Sequence, residues 1–214
     1  MSAVKKTDGW LTLQTAASAS LTERKSEFIA TAAPVHTEEE ALAFIASMRK
    51  RYADARHNVY AYLLREGNTS RFSDDGEPHG TSGLPILDVL RGEGLTDVAV
   101  VVTRYFGGVL LGTGGLVRAY SQSARLAIDE AGRAQIVSLT VFTLRVSYGD
   151  LRRVESLLAS LPLSRLDAVY AEDVLLTFAI REEGYESLAV ALSERTNGRA
   201  ILSVLEKKYG APPE

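Results

Sequence analysis

The segment from Asp97 to Tyr105, DVAVVVTRY, constrains the fold most because it is almost continuously apolar. A strand with one solvated face alternates apolar and polar residues, whereas an unbroken apolar run of this length predicts a strand buried on both faces. Such a strand needs neighbouring strands on both sides and helices or loops above and below it. We therefore expect it at the centre of a sheet, followed by a helix over 113–131.

The residues before this strand alternate between strand and helix patterns. Thr37 precedes three glutamates and an amphipathic segment that ends in Arg49, Lys50 and Arg51, which is typical of a capped helix whose charges match its dipole. The turn TERKS separates two apolar, β-branched segments that we expect to pair as strands. The expected strands are 10–17, 27–35, 58–64 and 70–73, and a short helix is expected over 83–91.

After Gly132 the pattern changes to that of a second domain. Its strands are expected at 136–147, 164–170, 173–180 and 200–207, and its helices at 150–161 and 183–195. The order β-α-β-β-α-β is that of a ferredoxin-like domain. We therefore predict an α+β protein with two domains, residues 1–133 and residues 134–210.

Composition narrows the classes of protein that the chain can belong to. Its 214 residues are 46% apolar and include no cysteine, which excludes disulfides and thiolate zinc sites. No apolar run approaches the length of a membrane helix, so we expect a soluble, cytoplasmic protein. The formal net charge is −3, and any contact with nucleic acid must therefore come from a local basic patch.

The first candidate site is the loop 71–84, RFSDDGEPHGTSGL. Asp74, Asp75 and Glu77 either accept backbone hydrogen bonds in tight turns or act as acid, base or Mg²⁺ ligands. No second metal-binding motif accompanies them, and we expect no metal site. The run 80–83, GTSG, opens a helix and offers free N–H groups and two hydroxyls, which together suit an anion.

The second candidate site is the loop that follows the buried strand, within TRYFGGVLLGTGGLVRAY (103–120). Its glycines either allow a tight passage from strand to helix or present N–H groups to a phosphate, with Arg104 and Arg118 as further partners. The loop lacks the lysine of a Walker motif and does not match GxGxxG. The candidate anion- or nucleic-acid-binding residues are Gly80, Thr81, Arg104, Gly107, Gly108, Gly112, Gly114, Gly115 and Arg118.

Two further features bear on these loops. The three carboxylates of the first loop are also candidates for internal counterions of the arginines in the second. The clusters at 24–25, 49–51 and 56–57 either form a basic patch or belong to a solvated helix end and a half-buried strand.

Four segments carry a resemblance to the IMPACT family: RKSEFIA (24–30), ARHNVYAY (55–62), DDGEPHGTSGLPIL (74–87) and VVVTRYFGGVLLGTGGLVRAY (100–120). The resemblance implies a first domain similar to the second domain of a small-subunit ribosomal protein and to the fourth domain of elongation factor G. It implies a second domain similar to the ferredoxin-like carboxyl-terminal domain of that factor. The eukaryotic relative regulates translation under starvation by competing for an activator of an initiation-factor kinase.

Two functional hypotheses follow. In the first, the chain is a non-catalytic regulator associated with translation that binds RNA, the ribosome or a translation-factor partner through its glycine and arginine loops. In the second, it is an enzyme that acts on a phosphorylated small molecule or nucleotide, with Asp75 or Glu77 as base or Mg²⁺ ligand. No cofactor is expected, and the oligomeric state is left open.

Overall fold

The computed structural model describes residues 9–213, which form strands and helices in two units. One unit comprises residues 11–134, and the other comprises residues 9–10 and 135–213. Gly9 and Trp10, which the predicted boundaries place in the first domain, therefore group with the second. None of the helices within 9–213 is long and apolar enough to cross a membrane.

The first unit contains one five-stranded sheet, three α-helices and a short 3₁₀ helix, Glu66–Asn68, between β4 and β5. After β1 (Gly9–Leu13), its elements are β2 (Ala17–Glu23), β3 (Ser26–Pro34), α1 (Glu38–Arg51), β4 (His57–Leu64), β5 (Thr69–Ser73), α2 (Gly83–Gly92), β6 (Val98–Tyr105) and α3 (Thr113–Ala131). The sheet order is β2-β3-β6-β4-β5, and every neighbouring pair is antiparallel. As the apolar run predicts, β6 is the central strand and is buried from Val98 to Arg104.

Helices cover both faces of this sheet, which explains why β6 has no polar face. The larger core, which includes Phe28, Val100 and Tyr120, joins the sheet to α2 and α3. A smaller core, which includes Ile45 and Val101, joins the opposite face to α1. Burial of alternate β6 side chains on opposite faces stabilises both layers at once.

The second unit has the ferredoxin-like order that the sequence predicts. Its elements are β7 (Arg133–Val146), α4 (Tyr148–Ala159), β8 (Ser164–Tyr170), β9 (Val174–Arg181), α5 (Glu182–Thr196) and β10 (Ile201–Gly210). Strand β7 pairs with β9 and β10, and β9 also pairs with β8, all antiparallel. Strand β1 joins the same sheet beside β7. Side chains from both helices, such as Leu188 of α5, pack with the inward side chains of β7 and β9, such as Phe142 and Phe178, to form one core.

The expected strand 10–17 is two strands in the structure. Strand β1 ends at Leu13, and β2 begins at Ala17 and pairs with β3. The sequence pattern misses this strand because only one face of β2 is half-buried and its side chains, apart from Leu21, are small or polar. The turn between β2 and β3 is only Arg24 and Lys25, both in the left-handed region with φ of 46° and 66°.

The second unit contains a carboxylate whose pKa is strongly lowered. Asp150 Oδ1 and Oδ2 accept hydrogen bonds from Arg199 Nη2 at 2.7 Å and Nε at 2.9 Å. Ser147, the N-cap residue of α4, accepts a hydrogen bond from Asp150 N. The Ser147 hydroxyl in turn donates to Asp150 Oδ2 at 3.1 Å. The bidentate Arg199 guanidinium and this hydroxyl outweigh the opposing effect of burial and lower the pKa of Asp150 to about 2.

This pKa predicts a pH-dependent contribution to the stability of the second unit. The ionised form is favoured in the folded state, so the contribution is present above the unfolded pKa of about 3.9 and is lost as pH falls towards 2. We expect Asp150→Asn to lower the free energy of unfolding at pH 6 and to approach the parent protein's stability near pH 2. Urea titrations between these values test this, with the exposed Glu172→Gln as control; a stability difference independent of pH contradicts it.

Candidate functional site

The Asp74 carboxylate binds the backbone N–H groups of the run 80–83 in the first candidate loop. Its Oδ1 accepts hydrogen bonds from Gly83 N at 2.8 Å and Ser82 N at 3.2 Å, and its Oδ2 accepts one from Gly80 N at 2.8 Å. The Thr81 hydroxyl donates to the carbonyl of Pro78 at 2.7 Å. The N–H groups that the sequence suggests for an external anion therefore hold an internal carboxylate at the start of α2.

Asp75 joins the same loop to two other elements. Its Oδ1 accepts a hydrogen bond from Arg49 Nη2 of α1 at 2.9 Å, and its Oδ2 accepts one from Asn58 N of β4 at 2.7 Å. The carbonyl oxygen of Asp75 lies 2.8 Å from His57 Nδ1. The residue has a positive φ of 44°, so these contacts hold a strained turn in place.

Glu77, Arg104 and Tyr120 form a buried triad that links the two loops. Glu77 Oε1 accepts a hydrogen bond from Arg104 Nη1 and one from the Tyr120 hydroxyl, both at 2.7 Å. The side chains of Glu77 and Arg104 are 5% and 7% exposed. Burial, and then the Glu77 charge, raises the pKa of Tyr120 far above its usual range, so this hydroxyl stays a donor.

The sheet fixes the position of Arg104 within the triad. In the strand register Arg104 lies between Phe28 of β3 and His57 of β4. Its guanidinium lies 5.4 Å from the ring centroid of Phe28 and 5.5 Å from that of Phe106, and its Nη2 is 3.4 Å from Ser26 Oγ. Arg104 is thus paired with Glu77 and enclosed by aromatic rings rather than presented at the surface.

Tyr120 is a member of the site that the sequence patterns did not predict, although a signal for it exists. Leu116, Tyr120, Ala124 and Ile128 recur at four-residue spacing along α3 and are all buried. A tyrosine in such an apolar series buries its hydroxyl, which then needs an acceptor. The nearby loop contains three carboxylates, of which Glu77 is the acceptor.

The glycines of the second loop have different local roles. Gly107 packs so closely on the turn between β2 and β3 that a Cβ atom would lie 2.0 Å from the carbonyl carbon of Lys25. Gly112 has a φ of 74° and precedes the first residue of α3. Gly108 also has positive φ, whereas Gly114 and Gly115 belong to the first turn of the helix.

The amino end of α3 has no side-chain cap, whereas Asp74 of the preceding loop binds the first N–H groups of α2. Gly112 is its N-cap residue, and the first turn contains no acidic residue. The N–H groups of Thr113, Gly114 and Gly115 belong to the first turn, where an α-helix supplies no backbone acceptors. Thr113 and Gly114 are exposed and Gly115 is half-buried. Backbone donors and the positive end of the helix dipole therefore face the solvent here.

The two loops enclose a cleft of about 370 Å³. We use "the cleft" for this space. One side is formed by the second loop and the start of α3, including Phe106, which is 50% exposed, and Leu110, which is 80% exposed. The other sides include Glu77 and Pro78 of the first loop, Arg104, and residues 56–57 at the start of β4.

Four exposed cations surround the second loop, and we call them "the basic rim": Arg24, Lys25, Arg56 and Arg118. Within residues 9–213 none of them takes part in a salt bridge. Arg24 Nη1 donates to the Leu110 carbonyl at 3.3 Å, and Lys25 lies against Gly107. Arg56 lines the cleft.

The structure does not bring Arg104 and Arg118 to one place. Arg118 lies with Arg24 and Glu23 in a separate groove of about 120 Å³, whereas Arg104 lies at the cleft. Leu111 lines both the groove and the cleft, so the two are adjacent.

Comparisons with known proteins match both units. The model of the Impact N-terminal domain matches residues 24–128, which include the whole cleft and the basic rim, and a domain of unknown function (DUF1949) matches residues 144–199. An "IMPACT family member in pol 5'region" of Thermus thermophilus is 45% identical over 180 residues, 82% of this chain and 96% of that protein. "IMPACT family member YigZ" of Escherichia coli is 36% identical over 187 residues, 86% and 92% of the two chains. A crystal structure titled only as that of a hypothetical protein is 34% identical, covers 93% of this chain and 98% of its own, and gives a TM-score of 0.59.

The buried triad predicts unequal effects for the two arginines on stability. Arg104→Ala leaves the Glu77 carboxylate buried without its cation, and we expect it to lower the free energy of unfolding by about 3–5 kcal/mol. Arg118→Ala removes an exposed side chain and is expected to change that free energy by less than about 0.5 kcal/mol. Urea unfolding followed by circular dichroism measures both. The double variant Glu77→Gln, Arg104→Met, which removes both charges and keeps an acceptor for Tyr120, is expected to recover part of the loss; equal effects of the two alanine variants contradict this view of Arg104.

The close approach of Gly107 predicts a second contrast, between two glycines of the same loop. In Gly107→Ala the added methyl group clashes with the backbone of Lys25, and we expect a loss of about 1–3 kcal/mol in the free energy of unfolding. In Gly114→Ala the new Cβ meets only the end of the Arg118 side chain, at 3.6 Å, and alanine favours the helix. Thermal and urea unfolding of the two variants tests this contrast. The prediction is wrong if Gly114→Ala destabilises the protein while Gly107→Ala leaves its stability unchanged.

Proposed function

The chain belongs to the IMPACT family, and on that premise we propose that it is a non-catalytic RNA-binding protein that acts in translation. The resemblance implies that the eukaryotic relative regulates translation, and this supports a role for the present chain in translation. The exposed cations and apolar side chains around the second loop support RNA as the partner. The ribosome both contains RNA and carries out translation, so it is the partner that we propose. The corresponding compartment is the cytoplasm.

The observation that carries this proposal is the basic rim. None of its four cations forms a salt bridge with a described residue, although Glu23 lines the groove beside Arg24 and Arg118. The carboxylates of Asp74, Asp75 and Glu77, in contrast, are bound within the protein. A phosphodiester backbone supplies the missing counterions. Because the whole chain has a net charge of −3, this local excess of positive charge is the feature that suits a polyanion.

Exposed apolar side chains lie among these cations. The ring of Phe106 and the side chain of Leu110 project beside the basic rim. Proteins that bind single-stranded RNA combine phosphate-binding cations with aromatic rings on which bases stack. The second loop offers both kinds of contact, and we therefore favour single-stranded segments of RNA over regular duplex.

The enzymatic alternative has less support from the geometry. Asp75 holds Arg49, and Glu77 holds Arg104 and Tyr120, so either carboxylate must give up a charged partner before it acts as a base or ligand. Among residues 9–213 no three His, Asp or Glu side chains are grouped in a way that suits a metal ion. Binding without covalent chemistry therefore accounts better for the arrangement.

The proposal predicts salt-dependent RNA binding that depends on the basic rim. We expect the parent protein to bind a fluorescein-labelled single-stranded RNA of about twelve nucleotides, with an affinity that falls steeply as salt increases. Arg24→Ala and Arg118→Ala should each weaken binding and reduce the slope of log K against log salt by about 1 for each phosphate that the variant no longer neutralises. Fluorescence anisotropy at several salt concentrations measures both quantities.

The matched control is Arg152→Ala, which removes an exposed arginine from α4 in the second unit. Its affinity and salt slope should equal those of the parent protein. The proposal fails if the parent protein does not bind the RNA, or if all three arginine variants bind it equally well.

A further inference from the structure

The cleft has the size and the mixed lining of a ligand site. Its volume of about 370 Å³ lies within the range of small-molecule pockets, roughly 300–1,000 Å³. Leu110, Leu111, Leu116 and Pro78 give it an apolar wall. Polar groups border this wall on the side of Arg104 and on the side of the α3 amino end. Such a lining accommodates a flat apolar face together with polar edges.

Phe106 is half-exposed at the cleft, and the Arg104 guanidinium lies against its ring. The Arg104 guanidinium lies 5.5 Å from its ring centroid, while half of the residue's surface is exposed. The cation–π contact orients the ring, and the exposed part of the ring remains available for stacking. An oriented and partly exposed aromatic ring suits a nucleobase, since every base has a π-face that can stack on it.

The polar groups at the cleft suit acceptor atoms and a phosphate. Arg104 lines the cleft with a side chain that is 7% exposed, and its Nε is buried and has no hydrogen-bond partner among the described residues. Gly112 and Thr113 bring the uncapped amino end of α3 to the same space. Arg56 lies at the cleft as an exposed cation without a salt bridge to any of the residues 9–213.

The basic rim leads from the cleft to the neighbouring groove. Arg56 belongs to the cleft, Arg24 and Arg118 belong to the groove, and Leu111 lines both. A strand whose phosphates follow these cations therefore passes the opening of the cleft. One of its bases then reaches Phe106 without leaving the path of the backbone.

We infer that the cleft receives one unstacked nucleotide of a bound single strand, with the base against Phe106 and Leu110 and the phosphate towards Arg56 and the amino end of α3. This inference rests on the proposed function and names the part of the RNA that the site takes. A protein side chain would satisfy the apolar wall but would leave the backbone donors and the basic rim without anionic partners.

The test compares variants of one loop in binding the labelled single-stranded RNA. Phe106→Leu keeps an apolar side chain but removes the stacking face, and Leu110→Ala shortens the exposed wall. We expect Phe106→Leu to weaken binding about tenfold and Leu110→Ala to weaken it by a smaller factor. Val109→Ala, in the same loop but outside the lining of the cleft, is expected to bind as the parent protein does. Thermal unfolding of each variant checks that the fold is retained.

A second measurement uses free nucleotides, and it separates this inference from the proposed function. Adenosine 5′-monophosphate should bind the parent protein in isothermal titration calorimetry and compete with the RNA, whereas inorganic phosphate at the same concentration should do so at least tenfold less well. Loss of RNA binding in Arg118→Ala with no effect of Phe106→Leu, or equal competition by phosphate, overturns the inference and leaves RNA binding in place. Binding of the mononucleotide that Phe106→Leu weakens, without any binding of RNA, supports the cleft and overturns the proposed function.

Discussion

The buried ion pair between Glu77 and Arg104 determines how the two glycine loops are placed around the cleft. Glu77 belongs to the loop before α2, Arg104 to the central strand, and Tyr120, which shares the same carboxylate oxygen, to α3. One oxygen atom therefore joins three elements that are far apart in the sequence. Because a buried charge without its partner is very unfavourable, the pair also fixes the conformation of the loop that carries Glu77. The position of the cleft follows from this, since Glu77 and Arg104 are both part of its lining.

The carboxylates of the acidic loop stabilise the fold, whereas the cations of the basic rim are exposed and form no salt bridge with the described residues. Asp74 and Asp75 are bound to backbone N–H groups and to Arg49, so the acidic loop is neutralised within the protein. The cations around the second loop have no such partners among the described residues. A chain with a small negative net charge thus presents a cluster of exposed cations, and the three carboxylates of the neighbouring acidic loop do not pair with them because other groups bind those carboxylates.

The sequence predicts those parts of the fold whose signals are local. Thr37 accepts a hydrogen bond from Glu40 N as the N-cap of α1, the bounds of α3 and β8 agree with the expected helix and strand, and the ferredoxin-like order is confirmed. Strand β2 was not predicted because its small and polar side chains bury little, and its pairing with β3 is a tertiary effect. In the site, three carboxylates lie within four residues, and local spacing does not say which one meets Arg104. That choice depends on the sheet register and on Tyr120, which only the folded chain brings together.

The contact between Gly107 and Lys25 has a consequence for the energetics of binding. Because the second loop rests directly on the backbone of the turn between β2 and β3, the two segments that carry Arg24, Lys25 and Phe106 form one packed surface. If these segments bind RNA as proposed, their spacing is set before the RNA arrives, and we expect little backbone entropy to be lost on binding. A larger residue at position 107 would separate the turn from the loop and convert a preorganised surface into one that must be ordered by its ligand.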